Sequence, residues 1–233
     1  MIAIISDVHG NFPALEAVLA DIDASGSPQI VCLGDIAGYY CMVNECIAAL
    51  RARSVQSLLG NHDYYLVSGT VPPRSQAAAR CIAYQRGIVT AENLAWLAEL
   101  PRTFRIGDVA MVHGGWTDPI DEYITDIRED YFADREGTFF FSGHTHVQVV
   151  ARFPTKTYCN PGSVGQPRDG DARAAYALFD DGAITLRRVS YDIDRIAAEM
   201  QRAGFDSYFY ENLYAGRRIG GKLSGVTVKQ EAS

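Results

Sequence analysis

The sequence lacks most of the features that would announce other functions. No stretch approaches the ~20 apolar residues of a membrane-spanning helix. Its first residues, Met1–Ser6, lack a basic leader region and run straight into Asp7 and His9, so they predict a strand and not a signal peptide. The five cysteines (Cys32, Cys41, Cys46, Cys81 and Cys159) contain no C-x-x-C pair. Their odd number and wide spacing predict free, buried thiols in a reducing cytosol. Basic clusters are missing too, and the formal net charge is −7, which disfavours a nucleic-acid-binding face. There is no G-x-S-x-G, H-E-x-x-H or G-x-G-x-x-G motif. Gly216-Arg217-Arg218-Ile219-Gly220-Gly221-Lys222 imitates the start of a phosphate-binding P-loop. Leu223 stands where a hydroxyl would meet Mg²⁺, and no clear buried strand precedes it.

Histidine is also scarce, and its placement is informative. All five histidines in the 233 residues fall in short Gly/Asp/Asn-containing stretches. The stretches that carry the chemistry are Asp7-Val8-His9, Gly34-Asp35, Gly60-Asn61-His62-Asp63, His113-Gly114 and Gly143-His144-Thr145-His146. Each follows a short apolar run, such as IAII or VAMV, that reads as a buried strand. Strand ends in open α/β sheets converge on ligands, so the five loops can meet. Asp7 and His9 are two apart, and on an extended segment they would point the same way, as would His144 and His146. Asp7, His9, Asp35, Asn61, His113, His144 and His146 are too many for one metal ion. Two divalent ions sharing a carboxylate would accommodate them, and the resulting positive site would attract phosphate despite the acidic chain. Paired ions roughly 3.5–4 Å apart serve in-line phosphoryl displacement.

The five blocks, in this order over residues 7–146, resemble the calcineurin-like metallophosphoesterase superfamily, with its D-x-H, G-D, G-N-H-[DE], H-G and G-H-x-H pattern. Tyr39 to Glu45 and Asn160 to Arg168 are similar to segments of a bacterial branch of small phosphodiesterases and diadenosine-tetraphosphatase-like proteins. Tyr40-Cys41-Met42 departs from that branch. The resemblance implies an α/β fold, a four-layer α/β/β/α sandwich of two mixed sheets flanked by helices. It implies one metal on Asp7, His9, Asp35 and His146, a second on Asp35, Asn61, His113 and His144, and attack by a hydroxide between them. His62 would stand beside the substrate, oriented by Asp63. Mn, Fe, Zn, Ni or Co all suit such nitrogen and oxygen ligands, with Mn or Fe favoured.

Elsewhere the sequence is less specific. Tyr39, Tyr64, Ser163, Gln166 and Arg168 are candidate substrate contacts, each with a plain packing or turn role as the alternative. Helical periodicity is expected from Pro13, over 43–52, 75–86, 91–100 and 192–203. Residues 64–100 would form a helical cap or side layer, and the acidic stretch 116–136 a solvated loop with a short helix at 127–134. A domain over 1–203 would precede a Tyr-rich extension and a flexible tail at 204–233. These features predict a cytoplasmic phosphoesterase acting on a small phosphodiester or nucleotide-type substrate, with a homo-oligomer left open. The alternatives are a phosphomonoesterase or a non-catalytic metal-binding module of the same fold.

Overall fold

The computed structural model describes residues 1–26 and 29–229. Pro28, expected to help end the first helix, lies outside them. Two five-stranded mixed sheets stack face to face, and six helices flank them. The first sheet contains β1 (Ile2–Ile5), β2 (Gln29–Cys32), β3 (Gln56–Ser57), β10 (Ala174–Asp180) and β11 (Ala183–Val189). Its order is β11-β10-β1-β2-β3, parallel from β1 to β3 and antiparallel at β10 and β11. The second contains β4 (Thr103–Ile106), β5 (Val109–Val112), β7 (Phe139–Phe141), β8 (Val149–Arg152) and β9 (Thr157–Asn160). Its order is β4-β5-β7-β9-β8, with a parallel centre and antiparallel edges.

Strand alternation explains how one chain fills three apolar layers. Ile4 on β1 and Val31 on β2 point between the sheets, where they meet Met111, Phe141 and Cys159. Ala3, Ile5 and Cys32 point the other way, under α1 (Phe12–Ala24) and α2 (Val43–Ala52). On the second sheet, Ala110, Phe140 and Tyr158 face outward. Successive side chains on a strand must take opposite faces, and both faces here are apolar, as parallel central strands require.

The helices begin where their sequences provide caps. Asn11 accepts from the backbone of Ala14 with Pro13 in the first turn of α1. Ser75, Thr90 and Asp192 likewise cap α4 (Gln76–Ile88), α5 (Ala91–Ala98) and α6 (Ile193–Arg202). The strongly amphipathic α6 buries Ile196, Ala197 and Met200 against Phe205, Phe209 and Leu213. With α3 (Asn61–Ser68), α4 and α5 pack Leu66, Ile82 and Leu97 on the first sheet's core, while Pro72, Pro73, Arg74, Ser75 and Ala78 border the cleft.

Two expectations are corrected. No helix forms at 127–134; Asp126–Arg128 is strand β6, followed by turns. The acidic stretch buries Ile124, Ile127 and Phe132 over the outer face of the second sheet, so its apolar residues dominate its charges. The tail does not lack structure as far as Lys229. Thr227–Lys229 forms β12, paired in parallel with β6. Residues 230–233 lie outside those described.

Candidate metal centre

All five expected fragments follow the carboxyl ends of strands, four in loops and one in the first turn of a helix. Asp7 and His9 follow β1, Asp35 follows β2, and Asn61 and His62 open α3 just after β3. His113 follows β5, and His144 and His146 follow β7. Each sheet therefore supplies part of one cluster at their shared end. The local backbone differs from the extended segments expected. Asp7, His9, Asp35, His144 and His146 all have φ between 53° and 65°, in the left-handed region. For non-glycine residues this costs on the order of 1–3 kcal/mol each and tends to collect at functional sites. The strained turns, and not an extended pleat, bring Asp7 and His9 together with His146.

The histidine tautomers follow from their outer hydrogen bonds. His9 Nδ1 donates to Ala37 O at 2.9 Å, and His146 Nδ1 donates to Gln166 O at 2.6 Å. Each Nε2 is therefore left with a lone pair, yet the two Nε2 atoms lie 3.1 Å apart. Asp7 Oδ1 is 3.2 Å from His146 Nε2. The second group repeats the arrangement. His113 Nδ1 donates to Leu33 O at 3.1 Å, directing Nε2 at Asn61 Oδ1 (3.1 Å), His144 Nδ1 (3.2 Å) and Asp35 Oδ2 (3.4 Å). Electron pairs converging in a buried space repel unless a cation lies among them. The donor set thus fits two divalent cations, with Asp35 reaching both groups: its Oδ2 is also 3.7 Å from His9 Nε2. A further cluster joins His9, Asp35 and His62.

Protonation follows the same electrostatics. Burial tends to raise the carboxyl pKa values of Asp7 and Asp35, but neighbouring histidines outweigh it and hold both well below the usual range. Burial lowers His9, His144 and His146 and pushes His62 down to about 4. His113 goes the opposite way. Burial would lower it, but the attraction and hydrogen bonding of Asp35 carry it up to about 9. A proton on His113 supplies the positive charge that the cluster demands without metal.

Other candidates fall in varied places. Asp63 does not hydrogen-bond the His62 ring. Its carboxylate accepts from Ala37 N (2.8 Å) and Gly60 N (3.0 Å), tying two ligand loops together. Burial, and then Asp35, raise it to about 7. His62 Nδ1 is buried without a hydrogen-bond partner, and Gly38 leaves room for it, since a Cβ there would lie 2.5 Å from that nitrogen. Ser163 is also turned inward: its hydroxyl donates to Asp7 O and accepts from Gln166 N. Both contacts hold the loop that carries Gln166 against the one that carries Asp7. Gln166 receives Arg168 Nε and Nη2 on Oε1 and donates to Tyr40 Oη. Arg168 lies over the Tyr39 ring, 5.3 Å from its centre. Tyr39 packs against His9 and His62 and lines the cleft. Tyr64 instead faces a side pocket with Arg102 and Asp118, while its neighbour Tyr65 faces the cleft.

Sequence reasoning missed Arg74, Asp121, Tyr123 and Arg218, which complete the cleft. Tyr123 packs its ring 3.7 Å from that of His144, and Asp121 Oδ1 lies 3.6 Å from His144 Nε2. Asp121 and Tyr123 come from the stretch expected to be a solvated loop, Arg74 from the expected helical cap, and Arg218 from the rejected P-loop-like segment of the tail.

A sequence model of the calcineurin-like phosphoesterase superfamily domain matches residues 1–181. The uncharacterized protein MJ0912 of Methanocaldococcus jannaschii is 35% identical over 241 residues, covering 93% of this chain and 98% of that protein. The phosphodiesterase YfcE of Escherichia coli K12 is 25% identical over 181 residues, covering 78% of this chain and 88% of YfcE. A metallophosphoesterase structure from Sphaerobacter thermophilus superposes with a TM-score of 0.82 at 35% identity, over 92% of this chain and 99% of that one. The chain belongs to the calcineurin-like phosphoesterase superfamily and is a hydrolase of phosphoester bonds.

Proposed function

We propose that the chain is a dinuclear-metal phosphodiesterase acting on a small diester or nucleotide-type substrate. The observation that carries this reading is the convergence of buried, tautomer-fixed lone pairs in two groups that share Asp35. One ion would be held by Asp7, His9, Asp35 and His146, and the other by Asp35, Asn61, His113 and His144. Divalent ions there would activate a water nucleophile and offset charge on the phosphoryl oxygens. The side chains supply the rest. His62 borders the cleft beside Asn61, where its neutral ring would hydrogen-bond the leaving oxygen and stabilise charge there. The guanidinium of Arg168, held flat by Gln166 and Tyr39, adds fixed positive charge beside the same cleft. Diester chemistry agrees with the E. coli relative, which is a phosphodiesterase. Ligands limited to nitrogen and oxygen suit Mn or Fe best within a range that includes Zn, Ni and Co. Among the described residues no helix is long and apolar enough to cross a membrane. The free, buried cysteines agree with a reducing cytoplasm.

The test is hydrolysis by chelator-stripped protein with and without Mn²⁺. The substrates are bis(4-nitrophenyl) phosphate, 4-nitrophenyl phosphate and diadenosine tetraphosphate. Metal-restored turnover, fastest on a diester or dinucleotide, supports the proposal. Preference for the monoester would make it a phosphomonoesterase. Metal binding with no turnover, across several divalent ions, would point to a non-catalytic module.

A further inference from the structure

The Gly216–Lys222 stretch, which fails as a P-loop, forms a fixed turn beside the metal cleft. Arg218 N–H donates to Lys222 O at 2.9 Å, and Gly221 N–H donates to Arg218 O at 2.8 Å. Gly220 and Gly221 have φ of 89° and 83°, so the turn depends on glycine. Both ends are anchored. Gly170 N–H donates to Gly216 O at 3.0 Å, and Ser224 N–H donates to Arg168 O at 2.8 Å.

This turn closes a second cavity of about 330 Å³. It adjoins the cavity of about 240 Å³ that contains Asn61 and His62, and Tyr39, Arg74, Ser75 and Arg218 border both. Four cations line the second cavity: Arg74, Arg168, Arg218 and Lys222, with no Asp or Glu among its lining residues. Such a concentration is unexpected in a chain of net charge −7. Arg74 has a partner in Asp121 at 2.9 Å. Arg168 is only 2% exposed, and its guanidinium is held by the neutral Gln166 side chain. Burying a cation without a counter-charge is costly, and an arriving anion would offset that cost. Guanidinium groups match phosphoryl oxygens by paired N–H donors, and a lysine adds a point charge.

We propose that this second cavity is a subsite for a second phosphoryl group of the substrate. The enzyme then takes small molecules bearing two phosphoryl groups, one reacting at the metal centre and one held by Arg168, Arg218 and Lys222. This deepens the phosphodiesterase reading and rests on it. It assigns the tail turn a binding role and explains why the chain continues past the matched family domain to wrap back to the cleft.

The test uses the full, Mn²⁺-loaded chain with thymidine 5′-(4-nitrophenyl phosphate) and its 3′-phosphorylated counterpart. Wild type should show at least about a tenfold higher kcat/KM on the 3′-phosphorylated compound, the discrimination of one good charged contact. In Arg218→Ala and Lys222→Ala, both exposed turn positions, that ratio should fall toward one, and Arg218→Lys should keep part of it. A ratio of one in wild type, or an unchanged ratio in both alanine variants, overturns the subsite. Absence of nitrophenol release from both compounds overturns the phosphodiesterase reading instead. The subsite is then decided by calorimetric binding of pyrophosphate to chelator-treated protein. Binding at least about tenfold weaker in the alanine variants upholds it, and equal binding overturns it.

Discussion

His9 Nε2 and His146 Nε2 face each other across 3.1 Å, each with its Nδ1 proton committed to a backbone carbonyl. Neither ring can turn to relieve the contact without breaking a buried hydrogen bond. A cation between them removes the repulsion, so metal should stabilise the fold. At 100-fold saturation a bound ion contributes about 2.7 kcal/mol. For a chain of this size that is a rise in Tm on the order of 5–10 °C. Thermal melts of chelator-treated protein with Mn²⁺ should show it, and His9→Ala or His146→Ala should reduce it. A Tm indifferent to all divalent ions would contradict this account.

Metal binding should also release a proton near neutral pH. His113 is pushed up to about 9 in the metal-free cluster, so it is charged at pH 7–8 and must become neutral to ligate. The sign for folding follows from linkage. A raised histidine pKa contributes stability that is complete below about 6.5 and is lost as pH rises through about 9. His62, held near 4, works in the opposite direction: its contribution is present above about 6.5 and is lost as pH falls toward 4. Metal-free protein should therefore be most stable near pH 6–7 as far as these two groups decide it. Calorimetry in buffers of different ionisation enthalpy should detect about one proton released per metal pair at pH 7.5, declining above pH 9.

His62→Ala should lower kcat by roughly 10²–10³-fold, the usual cost of losing one positioned donor to a developing charge. Metal content should stay the same, because the seven proposed ligands exclude His62. Elemental analysis of the variant checks this directly. Loss of one ion would assign His62, which also clusters with His9 and Asp35, to the ligand set.

Asp63→Ala should act on stability before it acts on chemistry. It strips the acceptor from two backbone N–H groups, those of Ala37 and Gly60, in a fully buried setting. A loss of about 2–4 kcal/mol is expected in denaturant unfolding. The pH profile of kcat should keep its shape in the residual folded enzyme. A displaced profile would show that Asp63 tunes His62 after all.

Gly60→Ala should abolish binding of the metal pair. A Cβ at this position would overlap Asp35 Oδ1, the carboxylate that reaches both groups. The backbone at Gly60 is extended, so space and not conformational freedom sets the requirement. Metal-dependent stabilisation in melts should vanish, while the far-ultraviolet spectrum remains that of a folded α/β protein.

The chemistry was legible in the sequence because ligand types cannot be exchanged freely. Five histidines confined to strand-end loops read as one metal cluster, and the alternating α and β signals read as layered sheets. The family resemblance implies that Asp63 orients His62. At the start of α3, however, its carboxylate reaches back to Gly60 N and across to Ala37 N. Ser163 lies in a segment similar to one that closes the active site in the family, but its hydroxyl bridges Asp7 O and Gln166 N. The acidic stretch looked solvated by charge, whereas Ile127 and Phe132 are completely buried beneath it.

The sequence by itself determined the kind of ligands, their order along the chain and the apolar strands that carry them. Only the tertiary structure decided which nitrogen of each ring is free, because the deciding carbonyls, such as Ala37 O for His9, come from other loops. It also set the Nε2 atoms of His9 and His146, 137 positions apart in the chain, 3.1 Å from each other. The cationic wall of the second cavity is a further tertiary product. Of its cations, Arg168 alone is a candidate contact in the sequence; Arg74 and Arg218 come from distant segments, and a glycine turn anchored by Ser224 brings the last of them to the cleft.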